Sequence, residues 1–363
     1  MAELVCTHCG RTYDDGPEAP WRCECEHALT FQGRPIPSGP PPDPVSLDTR
    51  RGLGLFDDWL PVRPRVTLGE GFTPLLDADT FEASVKLEYV FPTGSFKDRG
   101  AALSISRALA NGAEVVYEDS SGNAGQAIAT YAARAGLAAR IYVPADAKPA
   151  KREAISRTGA DVVPVEGPRA AAAEACIGAV EETGEWYASH AWDPAFYAGT
   201  ATMAYEIAYQ RDWSAPDAIV LPVGHGTLLL GAYEGFATLV EAGWIDAIPR
   251  LLVGQAAGTA PLVAARHGQA AASGSNDIAD GIQVANPARE REVLEAIEAT
   301  GGDAIAVDRE ATTAALDRLH RSGFYTEPTC AVAPAALERF REQGTISEDA
   351  EVVMPLTGSG LKG

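Results

Sequence analysis

From about residue 85 to the C-terminus, short β-branched runs alternate with alanine-rich stretches of helical periodicity. No other feature restricts the chain as tightly. Residues 115–117, 140–143, 161–165, 218–223, 251–253 and 351–354 read as buried strands, and 85–89 is strand-like. Between them 98–110, 124–135, 150–157, 170–182, 201–211, 228–240, 288–299 and 312–321 read as helices, several closed by Gly112, Gly136, Gly159 or Gly184. Strands separated by helices cannot be joined by hairpins, so the sheets are parallel and carry helices on both faces. Ligands of such α/β sheets sit at the carboxyl ends of the strands, in loops that run into helix N-termini.

The length, 363 residues, exceeds one ordinary core and predicts two α/β domains with an appendage. Charge narrows the partners. With 50 acidic against 29 basic residues the formal charge is −21, which repels nucleic-acid phosphates and anionic membrane surfaces, so neither partner is expected. The longest charge-free run, 218–233, is broken by Pro222, Gly224 and Gly226 and is too short to span a bilayer. The opening MAELVCTHCG lacks the basic stretch and apolar core of a secretory signal, so a cytoplasmic location is expected. Lysine occurs only at 86, 97, 148, 151 and 362. Carboxylates in such excess are tolerable when salt screens their repulsion, and the composition reads as that of a halophilic protein.

Residues 1–32 hold four of the six cysteines, Cys6, Cys9, Cys23 and Cys25. In a reducing compartment the paired spacing favours metal over disulfides, and a zinc-ribbon-like segment with a structural zinc is expected, with His8 and His27 as nearby replacement ligands. Residues 33–64 are rich in proline and read as a linker along the surface.

Four loops carry candidate chemistry. In Pro92-Thr-Gly-Ser-Phe-Lys-Asp-Arg-Gly100, Lys97 opens a helix, where the positive end of the dipole favours a neutral amine able to attack a carbonyl and form a Schiff base. In Asp119-Ser-Ser-Gly-Asn-Ala-Gly125, small residues leave backbone N–H groups open to a carboxylate, and the Asn123 amide can donate to a ring oxygen. Val223-Gly-His-Gly-Thr-Leu228 suits a phosphate, and neither a P-loop lysine nor a well-placed third glycine follows it. The terminal Pro355-Leu-Thr-Gly-Ser-Gly-Leu-Lys362, with Glu327-Pro-Thr-Cys-Ala-Val-Ala333 before it, presents the Thr357 hydroxyl. A dinucleotide-dependent oxidoreductase would explain the glycines at 224 and 226 but neither Lys97 nor Asn123.

In this order PTGSFKDRG, SSGNAG, GHGTL, EPTCAVA and LTGSGLK resemble the fold type II pyridoxal-phosphate enzymes, and among them the threonine synthase family, over about residues 65–362. The cysteine-rich start is similar to the ribbon of archaeal members. The resemblance implies a large cofactor-binding domain from 65–99 and 186–363, a small domain from 100–185, and a homodimer. It implies pyridoxal 5'-phosphate held covalently by Lys97, with Phe96 beside its ring, Asn123 on its phenolic oxygen, Gly224, His225, Gly226, Thr227 and Leu228 around its phosphate, and Thr357 at its pyridine nitrogen. Ser120, Ser121, Gly122, Ala124 and Ser189 would hold an amino-acid substrate. The implied activity is a carbon–oxygen lyase of amino-acid biosynthesis, converting O-phosphohomoserine and water to threonine and phosphate. A serine/threonine dehydratase or a cysteine/cysteate synthase-like replacement enzyme is the alternative. The chain departs from the family pattern at Ala124, where threonine is usual, at His225, often asparagine, and at Phe196, near the expected phosphate-binding arginine.

Overall fold

A computed structural model describes residues 3–43 and 46–362. Pro44 and Val45, in the predicted linker, lie outside them. Strands β1 (Glu3–Cys6), β2 (Thr12–Asp14) and β3 (Leu29–Phe31) form an antiparallel sheet in the order β2-β1-β3, with Leu4 and Leu29 fully buried beside Cys6 and Cys23. Residues 33–64 are not linker throughout, contrary to expectation. Residues Thr49–Trp59 form a kinked 3₁₀ helix that buries Leu53 and Phe56, because its four apolar side chains, with Leu60 and Val62, have a core to enter. Upstream, the Trp213 and Trp244 indoles donate to the carbonyls of Pro42 and Gly39. Strands β4 (Leu75–Ala78) and β5 (Ala83–Lys86) follow; β5 stops short of the predicted 89, and Glu88–Val90 turn into a 3₁₀ segment.

Next come α1 (Lys97–Ala110), β6 (Val115–Glu118), α2 (Asn123–Ala135), β7 (Ala138–Pro144), α3 (Pro149–Ser156), β8 (Asp161–Val165), α4 (Arg169–Thr183), β9 (Trp186–Tyr187) and α5 (Pro194–Gln210). The four strands make a parallel sheet, order β8-β7-β6-β9. Gly136 and Gly184 terminate α2 and α4 in the left-handed conformation, as glycine closures predict. Helix α5 begins seven residues before the predicted 201, with Pro194 as its first residue, where a missing N–H costs nothing.

The remainder is β10 (Ala218–Pro222), α6 (Thr227–Glu241), β11 (Arg250–Ala256), α7 (Pro261–His267), α8 (Glu290–Ala299), β12 (Asp303–Val307), α9 (Arg309–Arg321), α10 (Val332–Glu342) and β13 (Val352–Pro355). A six-stranded sheet runs β12-β11-β10-β13-β5-β4, parallel except for the β4 edge, which corrects the all-parallel expectation. Sequence periodicity passes over α10 because Pro334 interrupts it; the proline lies in the first turn, where the helix tolerates it. The inward face of α10 seals Leu337 and Phe340 against Val220 and Leu252.

Two compact units emerge. One comprises the N-terminal segment to Pro35, Asp48–Gly71 and Lys97–Thr200; the other comprises Ile36–Leu47, Phe72–Phe96 and the chain from Ala201 onward. Inside the second, Lys86 is fully buried and donates to Glu206 at 2.7 Å and to the Thr73 carbonyl at 2.5 Å. No helix among the described residues is long and apolar enough to cross a membrane.

Candidate active site

In the first unit, Lys97 is the first residue of α1, and its Nζ lies 6.0 Å from the centre of the Phe196 ring. That ring is fully buried and pressed on α1: a Cβ on Gly100, one turn beyond Lys97, would lie 2.1 Å from it. Phe196 is thus a packing residue under the lysine-bearing turn. The second loop leaves β6 and enters α2 at Asn123. Ser120 is buried and its Oγ accepts the Gly122 N–H, while Ser121, Gly122 and Asn123 are half-exposed and no side chain caps the helix. The start of α2 is therefore not capped by a side chain, an arrangement able to receive a carboxylate.

Ser189 is brought to the same strand end, since Ala188 donates to the Tyr117 carbonyl at 2.9 Å. Its side chain is fully buried and accepts the Ala191 N–H, so it shapes a turn as well as standing near the loop. Between them lies a cluster that motif reading passed over. Glu118, Asp119 and His190 bring their ligand atoms within 4.8 Å of one another. Burial pushes the Glu118 carboxyl up to about 8 against the pull of the His190 N–H, Lys97 and Arg169, and it pushes His190 down to about 3. The available signal was two carboxylates ending an otherwise apolar strand, an arrangement that burial makes costly without partners.

In the second unit, β10 runs into Gly224-His225-Gly226 and then α6. Gly226 caps α6 at φ +83°, with no side-chain cap, and a Cβ there would meet Val293 Cγ2 at 2.3 Å. Gly224 is confined less tightly, since a Cβ there would lie 3.1 Å from Ile282 and from Val284. The turn is thus built for glycine and lies at the positive end of a helix without a side-chain cap, the kind of place a phosphate can occupy. Thr227 and Leu228 are buried behind it and His225 is half-exposed. Phe96 and Thr357, distant in sequence, meet through the Phe96 N–H, which donates to the Thr357 carbonyl at 3.1 Å, and Ser95 bridges Gly358. The buried Thr357 hydroxyl contacts Cys330 Sγ at 3.4 Å, a neighbour the motif reading did not assign.

An aldehyde-bearing ring with a phosphate tail suits these residue types: an amine at a helix start, an uncapped glycine turn for the anion, and a hydroxyl for a ring nitrogen. The family of pyridoxal-phosphate dependent enzymes matches residues 66–358. The chain belongs to that family. It is a pyridoxal-phosphate-dependent lyase of α/β fold type II. It is 33% identical to the threonine synthase of Methanocaldococcus jannaschii over 98% of this chain and 92% of that protein. Among solved structures, a T.th. threonine deaminase aligns with a TM-score of 0.65 at 26% identity, covering 79% of this chain and 92% of that one. A pyridoxal 5'-phosphate-dependent aspartate racemase aligns at 0.66 and 27%, covering 79% and 90%.

The N-terminal cysteines are also close. Cys6 and Cys25 Sγ lie 3.5 Å apart, Cys9 and Cys23 3.6 Å, and Cys9 and Cys25 3.6 Å. These exceed the roughly 2.05 Å of a disulfide. They approach the edge of a tetrahedron with metal–sulfur bonds of about 2.3 Å, which is about 3.8 Å. His27 directs Nδ1 to the Cys25 carbonyl at 2.7 Å and stacks on His8.

Proposed function

We propose that the enzyme converts O-phosphohomoserine and water to threonine and phosphate. One observation carries the reading: the identity to a threonine synthase extends over nearly the whole chain, cysteine-rich start included. Lys97, Phe96, Asn123, the turn from Gly224 to Leu228, and Thr357 are the residues that would hold the cofactor. When bound, the cofactor supplies an aldehyde that condenses with amines and a ring that withdraws electrons from the substrate's Cα.

The chain's own work is positioning and proton transfer. Ser120, Ser121, Gly122 and Ala124, at the open start of α2, fix the substrate carboxylate and so the direction of the Cα–H bond. Lys97 removes and returns protons, a task eased by its place at a helix start, which disfavours a permanent ammonium. Thr357, a neutral hydroxyl, leaves a ring nitrogen largely unprotonated and so favours elimination over transamination. A second reading, a serine/threonine dehydratase, is favoured by Phe196, whose buried ring offers no guanidinium to a substrate phosphate. Cys6, Cys9, Cys23 and Cys25 are proposed to hold a structural zinc, and a homodimer is the expected assembly.

The deciding experiment offers the cofactor-loaded enzyme O-phosphohomoserine, serine and threonine separately. Equal yields of threonine and inorganic phosphate from the first support the proposal. Formation of 2-oxo acid and ammonia from the others, with phosphohomoserine untouched, replaces it with the dehydratase. Lys97→Ala should abolish turnover and the borohydride-sensitive yellow colour together.

A further inference from the structure

Glu118 ends β6, is fully buried, and directs both carboxyl oxygens to one residue. Oε1 lies 2.6 Å from His190 Nδ1, and Oε2 accepts the His190 backbone N–H at 3.1 Å. The imidazole, 4% exposed, stands edge-on to Phe196 with ring centres 6.3 Å apart. Phe196 is the ring over which Lys97 Nζ sits at 6.0 Å, so lysine and imidazole flank one aromatic side chain. Glu118 immediately precedes the loop that opens α2.

A carbon–oxygen lyase needs more than a base. The electron pair of the broken bond leaves with oxygen, so a phosphate ester dianion would depart as a trianion, and an alcohol as hydroxide, unless a proton arrives as the bond breaks. Lys97, holding the proton taken from Cα, is occupied at that moment.

We propose that the Glu118–His190 pair delivers this proton, with His190 as donor and Glu118 as the positioning residue that reloads it. The His190 Nε2–H bond breaks as an O–H bond forms on the leaving group. The Glu118 O–H bond breaks as an Nδ1–H bond forms, so the imidazole stays neutral and the negative charge ends on the carboxylate. Water returns one proton to the pair after the products leave. The leaving group is an oxygen in both readings above, and the inference rests on that lyase chemistry.

The surroundings support this division of the proton. Burial raises Glu118 to about 8, while Lys97 from α1 and Arg169 at the head of α4 pull it down. Burial, with Lys97, lowers His190 to about 3, against the opposing pull of Asp119. Asp119 is engaged by the Tyr187 hydroxyl of β9 at 2.8 Å, and Cys176 of α4, its thiol pushed far up by burial, stays uncharged. Below pH 8 the proton therefore resides on Glu118 and points to Nδ1, which leaves the ring hydrogen on Nε2.

The test labels the histidines of the full-length chain with ¹⁵N, assigns His190 with His190→Gln, and follows its ring nitrogens across pH 8 without substrate. The expected result is a neutral ring throughout, whose hydrogen moves from Nε2 to Nδ1 with a midpoint near that of the carboxyl, and a tautomer that no longer changes with pH in Glu118→Gln. In the loaded enzyme, where Lys97 is engaged, kcat should fall as pH rises through the midpoint that the His190 tautomer shows in that same loaded form, and this limb should vanish in Glu118→Gln while KM stays within a factor of two or so. His190→Gln should lower kcat about 10²–10⁴-fold. A ring that gains charge near the ordinary value of about 6.5, a tautomer fixed in the wild type, or a kcat limb retained in Glu118→Gln overturns the proposal. If Glu118→Gln does not fold, the wild-type titration still decides. An intact tautomer change in an enzyme inert to phosphohomoserine supports the pair and sinks the substrate assignment alone.

Discussion

Gly100→Ala puts the packing beneath Lys97 to a direct test. In an exposed helix interior this change stabilises by about 0.8–1.0 kcal/mol, because alanine loses less backbone freedom. Here the new Cβ would lie 2.1, 2.2 and 2.6 Å from three carbons of the Phe196 ring, far inside van der Waals contact, and the ring has no exposed side toward which to retreat. Overpacking of a filled core costs about 1–3 kcal/mol, so the sign reverses. Phe196→Ala alone should cost about 3–5 kcal/mol by opening a cavity. In the double variant the alanine methyl enters that cavity, and the total should not exceed the cost of Phe196→Ala, a coupling of about 1–3 kcal/mol. Urea unfolding of the full chain, with midpoint and slope read together, measures all four corners. Because the ring underlies Lys97, a displacement of about 1 Å should also lower kcat by about 10²-fold in Gly100→Ala. A stabilised Gly100→Ala, or strictly additive variants, would refute the packing argument.

Three further outcomes are expected. Glu118 has a raised folded pKa, so its contribution to stability is present below its ordinary 4.5 and is lost as pH rises through about 8; the stability of Glu118→Gln relative to wild type should therefore grow across that window, and parallel pH curves would contradict the burial argument. The full chain should carry one zinc by metal analysis; Cys9→Ser or a strong chelator should expose the amides of β1–β3 to hydrogen exchange, and unchanged protection without metal would remove zinc from the account. With a formal charge of −21, the thermal midpoint should climb as salt is raised to molar levels, where the Debye length is about 3 Å, whereas full stability in dilute buffer would argue against halophily.

The local elements were legible because their signals are local. The strand at 161–165 and the helices opening near Lys97, Asn123 and Thr227 follow from runs and periodicities a few residues long, and the glycine closures from positive φ. Two elements were hidden by exceptions to local rules. Pro334 concealed α10, although a first-turn proline is harmless, and the proline-rich stretch concealed Leu53 and Phe56, which needed only a core to enter.

Order and chemical type of the loops were therefore properties of the sequence: an amine, two small-residue turns that enter helices without a side-chain cap, and a hydroxyl, each at a strand-to-helix or terminal junction. The partners were not. Glu118 with His190, Gly100 with Phe196, and Phe96 with Thr357 are pairs distant along the chain, and no periodicity couples them. Only the packed interior, where an unpaired carboxyl or a displaced ring carries a penalty of several kcal/mol, selects such pairs.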